Sequence, residues 1–402
     1  MKVPFPLFAA LPVTLLDILK ENHTIERAVE SQTKLHRQWG SRDRRFFNET
    51  IYELIRHFRK FWVLAGMARD QYDQTPALNI QNMQKLLMAY FEFHFPDLKT
   101  PYPQELSKVD VKLTPAEETS FPDWLYDLGL SETSPERWPG LAKTLNQPAN
   151  VYLRTNTLKT SRRELIKKLQ AEDLEVESID DSQVAIRLKV RKNIIKTNSY
   201  LSGEFEVQDL SSQKVAELLA PKPGEKIVDA CAGGGGKSLH LASLMENQGK
   251  LLSMDIHQKK LDNLQERVRR AGINIVETRL IDSAKVITKI EKTADALLLD
   301  VPCTGSGVIR RNPSSKWSLK QKDWMGLLET QSEILHNYSA MVKPGGRMVY
   351  ATCSLFSSEN EKALKKFLSQ HPDWTVEFQN TIWPDQQEGD GFFMAKLNRA
   401  VR

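Results

Sequence analysis

Cysteine is nearly missing from this sequence. Three occur in 402 residues, Cys231, Cys303 and Cys353. An odd number at spacings of 72 and 50 fits neither a disulfide framework nor a paired CxxC zinc site. A reducing compartment, taken as the cytoplasm, and no bound metal are the expectations. Long apolar runs are lacking as well, and nothing approaches the roughly 18 residues of a membrane helix, so no membrane partner is expected. The apolar stretch after Lys2 is interrupted by Pro4, Pro6 and Pro12 and grades into a helical Leu15, Ile18 pattern, which speaks against a signal peptide. A strong excess of one charge is also absent, with 56 Lys plus Arg against 51 Asp plus Glu. Residues 1–150 carry 18 basic and 19 acidic groups, which leaves 38 and 32 for the remainder. A surplus of that size permits a polyanionic partner without proving one. What is present is 40% apolar residues and a mean hydropathy of −0.45, which excludes collagen and wholesale disorder. The length suffices for two or three cores at roughly 150 residues each.

From residue 21 to about residue 66 apolar side chains recur at helical spacing, best seen in Phe47, Ile51, Leu54, Ile55, Phe58 and Trp62, with Ser41 placed to cap the helix. A second run, Leu78, Met83, Leu86, Leu87, Tyr90 and Phe91, ends at Pro96, and 124–130 forms a helical piece after Pro122. No strand pattern intrudes before residue 150, so 1–147 reads as an all-α domain. Its charge is uneven: 34–60 holds eight basic and three acidic residues, whereas 101–137 holds three and eight. Two solvated faces explain this most simply. Arg42, Arg44, Arg45, Arg56, Arg59 and Lys60 are also candidates for contacts with the phosphates of a polyanionic partner, although helical spacing keeps them from sharing one face. From Val151 the texture becomes strand, helix, strand, a small α+β unit over 148–203. Residues 204–402 then alternate strand and helix, with strands expected at 226–230, 250–256, 275–280, 294–301 and 346–352, which is the pattern of a doubly wound parallel sheet. The last two strands, 374–378 and 391–397, are joined without a helical pattern and are expected to form an antiparallel hairpin at the sheet edge.

The segment DACAGGGGKS, 229–238, follows an expected strand and opens an expected helix, where glycines let a ligand approach the backbone and the helix N-terminus. Gly236, Lys237 and Ser238 supply a GKS, and 296–300 resembles the metal-binding strand of a P-loop protein. The full P-loop pattern needs glycine at 231, where this chain has Cys231. Asp255 ends the next strand, where an acidic group accepts the ribose hydroxyls of an adenosine, and this reading is preferred to a helix cap. The spacing suits a nicotinamide or an S-adenosylmethionine site equally. Asp282, after the third strand, is placed to reach an adenine amino group.

Cys303 lies in DVPCTGSG, 300–307, directly after the fourth strand, and Cys353 in YATCS, 350–354, directly after the fifth. Ligands of open α/β sheets bind outside the carboxyl ends of the strands, so both thiols and Asp300 should converge on the same crevice. Burial is the commonest fate of a free cysteine. Two of three at strand ends, one of them three residues from Asp300, favour chemistry instead.

Together with LRTNTLK at 153–159, RRNPSSKW at 310–317, the stretch from Gln331 to Gly346, SSENE at 357–361 and GDGFFMAKL at 389–397, these motifs resemble the RsmB-like (Sun/Nop) family of RNA cytosine-5 methyltransferases. The resemblance implies a Rossmann-like class I methyltransferase sheet and an N-terminal NusB-like helical domain, with 41–56 as its central helix. It also implies S-adenosyl-L-methionine contacts from Cys231, Ala232, Gly233, Gly234, Gly235, Gly236 and Lys237 and from Asp255, Asp282 and Asp300. The family's turn usually reads CAAPGGK. Here Gly233 and Gly234 replace Ala and Pro, and loss of the rigid proline is expected to loosen the loop rather than abolish binding.

Carbon 5 of cytosine is too electron-poor to attack a methyl sulfonium until a nucleophile adds at carbon 6, and a thiolate does that best. Asp300 is placed to hydrogen-bond or protonate the ring at N3. DNA cytosine methyltransferases attack from a proline-cysteine motif, so position alone leaves Cys303 and Cys353 both eligible. The resemblance selects Cys353 as nucleophile, with Cys303 assisting product release. Trp317, beside Lys316, Arg310 and Arg311, is expected either to line the path of the flipped base or to pack in a core. The expected function is methylation of small-subunit (16S) ribosomal RNA by a monomer. The alternatives are a tRNA substrate, a P-loop NTPase and a non-catalytic RNA-binding assembly factor.

Overall fold

A computed structural model describes residues 5–98, 101–102 and 111–401. Pro4 and the 103–110 portion of the acidic stretch lie outside the described residues. The chain divides into two units, Met1–Gln147 with Ile309–Asp323, and Pro148–Val308 with Trp324–Arg402.

The first unit is helical: α1 (Phe5–Leu19), α2 (Ile25–Leu35), α3 (Ser41–Arg56), α4 (Phe58–Leu64), α5 (Ile80–His94), α6 (Pro115–Glu118), α7 (Asp123–Glu132) and α8 (Trp138–Leu145). The apolar stretch near the N-terminus is α1, which continues through Pro12 instead of breaking there. On α3, Phe47, Ile51, Leu54 and Ile55 are fully buried, as the helical spacing requires, and pack with Phe58 and Trp62 of α4 and Leu86, Leu87 and Phe91 of α5. Ser41 is not the cap. It is the first helical residue, Gly40 holds the cap position, and the Gly40 N–H donates to the Asp43 carboxylate at 3.0 Å. A carboxylate three residues into the helix reaches back to the cap amide more directly than the serine does.

The basic cluster is mostly spent inside this unit. Arg59 is buried and grips both oxygens of Asp123 at 2.7 and 2.8 Å. Arg56 is buried and donates to Glu53 and to the carbonyls of Gln147 and Arg310. Lys60 pairs with Glu118 at 2.7 Å and Arg45 with Glu49 at 2.8 Å. Burial and pairing thus withdraw Arg56 and Arg59 from the candidates for phosphate contacts, whereas Arg42, Arg44 and Arg45 lie exposed on α3, and part of the charge asymmetry of the sequence is internal pairing.

Residues Ile309–Asp323, expected within 204–402, belong to the helical unit. In α15 (Ser315–Ser318) the Lys316 ammonium is fully buried and donates to the carbonyl oxygens of Arg56 and Ser120 and to Asn146 Oδ1, each at 2.8 Å. Burial, and then the Arg56 charge, push its pKa well below the ordinary lysine value. The Trp317 indole N–H donates to Ile55 O at 2.8 Å, and its ring meets Phe58 edge-on. Trp317 is thus partly buried against the core of the helical unit, as the packing expectation has it.

The second unit contains two sheets. The smaller is formed by β1 (Val151–Thr155), β2 (Val176–Ser178), β3 (Ala185–Leu188) and β4 (Phe205–Val207) in the order β2-β3-β1-β4, all antiparallel. Helix α9 (Arg162–Ala171) covers it with Leu165 and Leu169, and α10 (Asn198–Leu201) precedes β4. A reciprocal pair of bonds between Ser161 and Glu164 starts α9.

The larger sheet is built from α11 (Leu210–Leu219), β5 (Lys226–Asp229), α12 (Gly236–Leu244), β6 (Lys250–Asp255), α13 (Gln258–Ala271), β7 (Val276–Leu280), α14 (Ala284–Thr288), β8 (Ala294–Asp300), α16 (Gln321–Tyr338), β9 (Val342–Thr352), α17 (Glu361–Gln370), β10 (Trp374–Ile382) and β11 (Phe392–Arg399). Its order is β10-β11-β9-β8-β5-β6-β7, with β9, β8, β5, β6 and β7 parallel and the terminal hairpin antiparallel. This is a doubly wound, Rossmann-like sheet closed by an antiparallel hairpin. Strand β9 starts four residues before the expected position, because Val342 already pairs with Ala294; the register then shifts across residues 343–346, with Gly345 at φ +74°, and pairing with β8 resumes at Arg347. Alternate residues feed two cores: Ile227, Leu251, Leu298 and Val349 on one face, Val228, Leu252, Leu297 and Met348 on the other.

Replacing Lys316 with Met strands three buried acceptors and should destabilise the helical unit by about 3 kcal/mol. Urea unfolding of the full chain checks this, and an unchanged first transition would show that the ammonium is not holding the segment.

Candidate active site

The chain leaves β5 towards β6 and β7 and returns to β8 on the other side, so the order reverses between β5 and β8. A crevice opens at the carboxyl ends of such a pair. Asp229 ends β5, Asp300 ends β8, and a cavity of about 660 Å³ lies there, with Cys231, Gly233, Asp255 and Asp300 in its wall alongside Ile256 and Tyr338.

The glycine turn connects β5 to α12. Gly235 adopts φ +84°, and a Cβ there would lie 2.5 Å from Leu264 Cγ, so only glycine fits. Asp255 is buried and accepts the Gly233 N–H and the His257 N–H, both at 2.9 Å. It therefore anchors the turn and the start of α13 together, facing the cavity. Ser238 is wholly buried, and its hydroxyl donates to Asp229 at 2.6 Å. That hydroxyl is turned into the sheet and away from any phosphate, which removes the P-loop reading. Lys237 donates to Asp300 at 2.6 Å. Burial alone would lower the pKa of this ammonium, but Asp300 and then Cys353 outweigh it and raise it, so the charge is held between the cavity and the thiols.

Cys303 and Cys353 come together from the ends of β8 and β9, with their sulfurs 3.3 Å apart and both side chains half-buried. The contact with Cys353, then burial, push the Cys303 thiol well above the ordinary cysteine value. The turn carrying Cys303 is pinned to the closing hairpin. The Gly307 N–H donates to Cys353 O and the Gly391 N–H to Gly307 O, both at 2.9 Å, and a Cβ on Gly307 would meet Gly391 O at 2.1 Å.

Of the residues singled out from sequence, the structure brings Cys231, Gly233, Asp255 and Asp300 to the cavity, Lys237 onto Asp300, and Cys303 and Cys353 against each other, with Cys353 close enough to act on the Lys237 charge. Ala232 is buried beneath the turn, while Gly234 and Gly236 point their carbonyls at arginines outside it. Asp282 is exposed and accepts from Ser283 Oγ at 3.0 Å, while its neighbours Ile281 and Ala284 line the cavity. Among the described residues no cluster of three metal-ligating side chains occurs, and no helix is long and apolar enough to cross a membrane.

Glu359 escaped the sequence reading. It is fully buried and accepts from the Thr304 N–H and Gln331 Nε2, both at 2.9 Å, from Thr304 Oγ1 at 2.5 Å, and from Ser354 Oγ. Thr304 follows Cys303 and Ser354 follows Cys353, so one carboxylate ties both cysteine turns together. The only signal was its place in the SSENE motif; a lone acidic residue in a serine-rich loop reads as solvated.

Burial, opposed by the Ser238 hydrogen bond, raises Asp229 from its ordinary value of 3.8 to about 7. The folded chain thus holds this proton more tightly than the unfolded one. Its contribution to stability is complete below about pH 4 and is lost as pH rises through about 7. The wild-type minus Asp229→Asn stability difference should therefore fall across that window in denaturant titrations. Parallel pH profiles would contradict the burial argument.

Residues 216–398 match the family model described as 16S rRNA methyltransferase RsmB/F, and residues 121–194 match its ferredoxin-like domain. The chain is 37% identical over 260 residues to the probable ribosomal RNA small subunit methyltransferase B of Bacillus subtilis (strain 168), which covers 64% of this chain and 58% of that protein. It thus spans somewhat under two thirds of that relative's length. With the probable ribosomal RNA small subunit methyltransferase B of Synechocystis the identity is 34% over 307 residues, covering 72% of this chain and 69% of that protein. The crystal structure of PH0851 superposes with a TM-score of 0.80 at 26% identity, covering 99% of this chain and all (100%) of that one. On these grounds the chain belongs to the RsmB/F family of methyltransferases.

Proposed function

We propose that this protein transfers a methyl group from S-adenosyl-L-methionine to carbon 5 of a cytidine in small-subunit ribosomal RNA, through a covalent adduct of Cys353 with carbon 6. S-adenosyl-L-methionine is the cofactor of the methyltransferase family to which the chain belongs. The residues fit it: a glycine turn that bares its backbone, Asp255 at the strand end and a cavity of about 660 Å³. The observation that carries the proposal is the pair of thiols, 3.3 Å apart, beside the Lys237–Asp300 ion pair at the edge of that cavity. A methyltransferase acting on a nucleophilic oxygen or nitrogen needs no such pair.

The parts divide as follows. The Cys353 sulfur adds to carbon 6 of the flipped cytosine, and Lys237 keeps a positive charge beside it. Asp300 takes up the proton that the thiol releases on addition and donates it to the ring at N3, where the charge created by addition collects. When bound, the cofactor supplies an electrophilic methyl group to the activated carbon 5. A base then takes the carbon 5 proton and the electron pair expels the Cys353 sulfur. Cys303, whose proton is firmly held, donates a hydrogen bond to that leaving sulfur across the contact already present. The ribosomal substrate is supported by the names of the relatives.

Cys353→Ala should abolish methyl incorporation into RNA while S-adenosyl-L-methionine binding persists, and Cys303→Ala should accumulate an enzyme–RNA adduct visible on denaturing gels. Adduct with Cys353→Ala and none with Cys303→Ala would reverse the two roles. RNA binding with no methyl transfer by the wild type would favour an assembly factor. Glu359→Gln turns an amide donor towards Thr304 or Ser354 and should lower kcat by roughly 10- to 100-fold, the scale of a small misplacement of reacting groups. Calorimetry should find its cofactor affinity unaltered; an unaltered kcat would show that the two cysteine turns hold their places without it.

A further inference from the structure

The chemistry above leaves LRTNTLK without a task, although its polar side chains are unusually committed. Arg154, on β1, is wholly buried; its Nη1 donates to Gly236 O at 2.6 Å and to Gln208. Asn156 Nδ2 donates to the carbonyls of Gly203 and Ala271 at 2.8 and 2.9 Å, and Lys159 Nζ to those of Ser202 and Arg270 at 2.6 and 2.7 Å. The small sheet is thereby fastened to α13 and to the first residue of α12, the helix that the glycine turn opens.

A second arm reaches the same turn from α13. Arg267 Nη1 donates to Gly234 O at 2.5 Å, while its Nε and Nη2 grip Glu206 Oε2 at 3.1 and 2.8 Å. Glu206, on β4, is buried and also takes Arg270 at 2.5 Å. The turn itself contains four consecutive glycines, Gly233 to Gly236, with Gly233 and Gly235 at φ +53° and +84°. Such a run has no side chains with which to fix its own path and carries the largest backbone entropy of any sequence. Its order must come from outside.

We infer that Arg154 and Arg267 are positioning residues for the cofactor: through the carbonyls of Gly236 and Gly234 they hold the four-glycine turn in the conformation that receives S-adenosyl-L-methionine. The inference rests on the reading of this turn as the cofactor's seat. Neither guanidinium needs to touch the ligand. A turn that visits the receptive conformation a fraction of the time binds with an affinity reduced by that fraction. The small sheet thus takes part in cofactor binding through β1 and β4.

The test uses the full chain and S-adenosyl-L-methionine in calorimetry. Arg267→Met keeps the aliphatic stem, and Glu206 keeps Arg270 as its partner, so the fold should survive. Its Kd should rise about tenfold, as expected if the turn is receptive roughly a tenth of the time. The loss should appear in KM for the cofactor far more than in kcat, and hydrogen exchange across residues 233–236 should accelerate in the ligand-free chain. Arg154→Lys retains the buried charge but shortens the reach, and should act in the same direction. A folded Arg267→Met with wild-type Kd and wild-type exchange overturns the inference, as does a loss confined to kcat. If the wild type binds but without protecting residues 233–236 from exchange, the reading of the turn fails first, and the inference with it.

Discussion

The parallel pairing of β5 with β8 is the contact on which the catalytic unit depends. Residues 227–229 lie beside 296–298, strands separated in sequence by two complete strand–helix excursions. Because the chain winds away on one side of this pair and returns on the other, no connection covers its carboxyl end. Asp229, Asp300, the glycine turn and the first cysteine turn all issue from that uncovered edge. Strand β9 adds the second cysteine because it pairs with β8 in parallel, Asp300 opposite Ala351. The thiol contact follows from strand order rather than from any attraction between sulfurs.

Buried polar groups then refine what strand order provides. Glu359 draws Thr304 and Ser354 to one carboxylate, and Asp255 draws the turn and the head of α13 to another. An interior carboxylate needs its lone pairs filled, and amides and hydroxyls from separate loops fill them. Each loop loses freedom, and the reacting groups inherit the order. Lys237 serves the same end with opposite sign, since the carboxylate of Asp300 keeps it charged in a place where burial alone would discharge it.

The repeating parts of the structure could be read directly. The short apolar runs at 227–228 and 296–299 announce buried parallel strands, and Phe47, Ile51, Leu54 and Ile55 announce a helix face, since such patterns determine where the side chains go. The glycine turn and both cysteines could also be located, because position after a strand determines exposure to the crevice. Partnerships across long sequence separations could not. Arg56 and Arg59 look like surface charge until Asp123 and the carbonyls of Gln147 and Arg310 are brought to them, and Lys316 looks solvated until three acceptors from distant segments surround it. Ser41 was misplaced by one residue because Asp43 offers the stronger acceptor. Glu359 was silent because its meaning depends on two turns that only the sheet makes neighbours.

The entry of Lys316 and Trp317 into the helical unit has a consequence for the order of synthesis. A ribosome releases Met1–Gln147 long before Ile309–Asp323, with residues 148–308 made in between. Until the later segment emerges, the carbonyls of Arg56 and Ser120 and the Asn146 amide oxygen wait without their ammonium, and Phe58 and Tyr72 face a slot where the indole belongs. A part of the chain made before the sheet unit is therefore finished only after most of that unit's strands have been made. Its completion reports that the polypeptide has already passed the turn bearing Cys303.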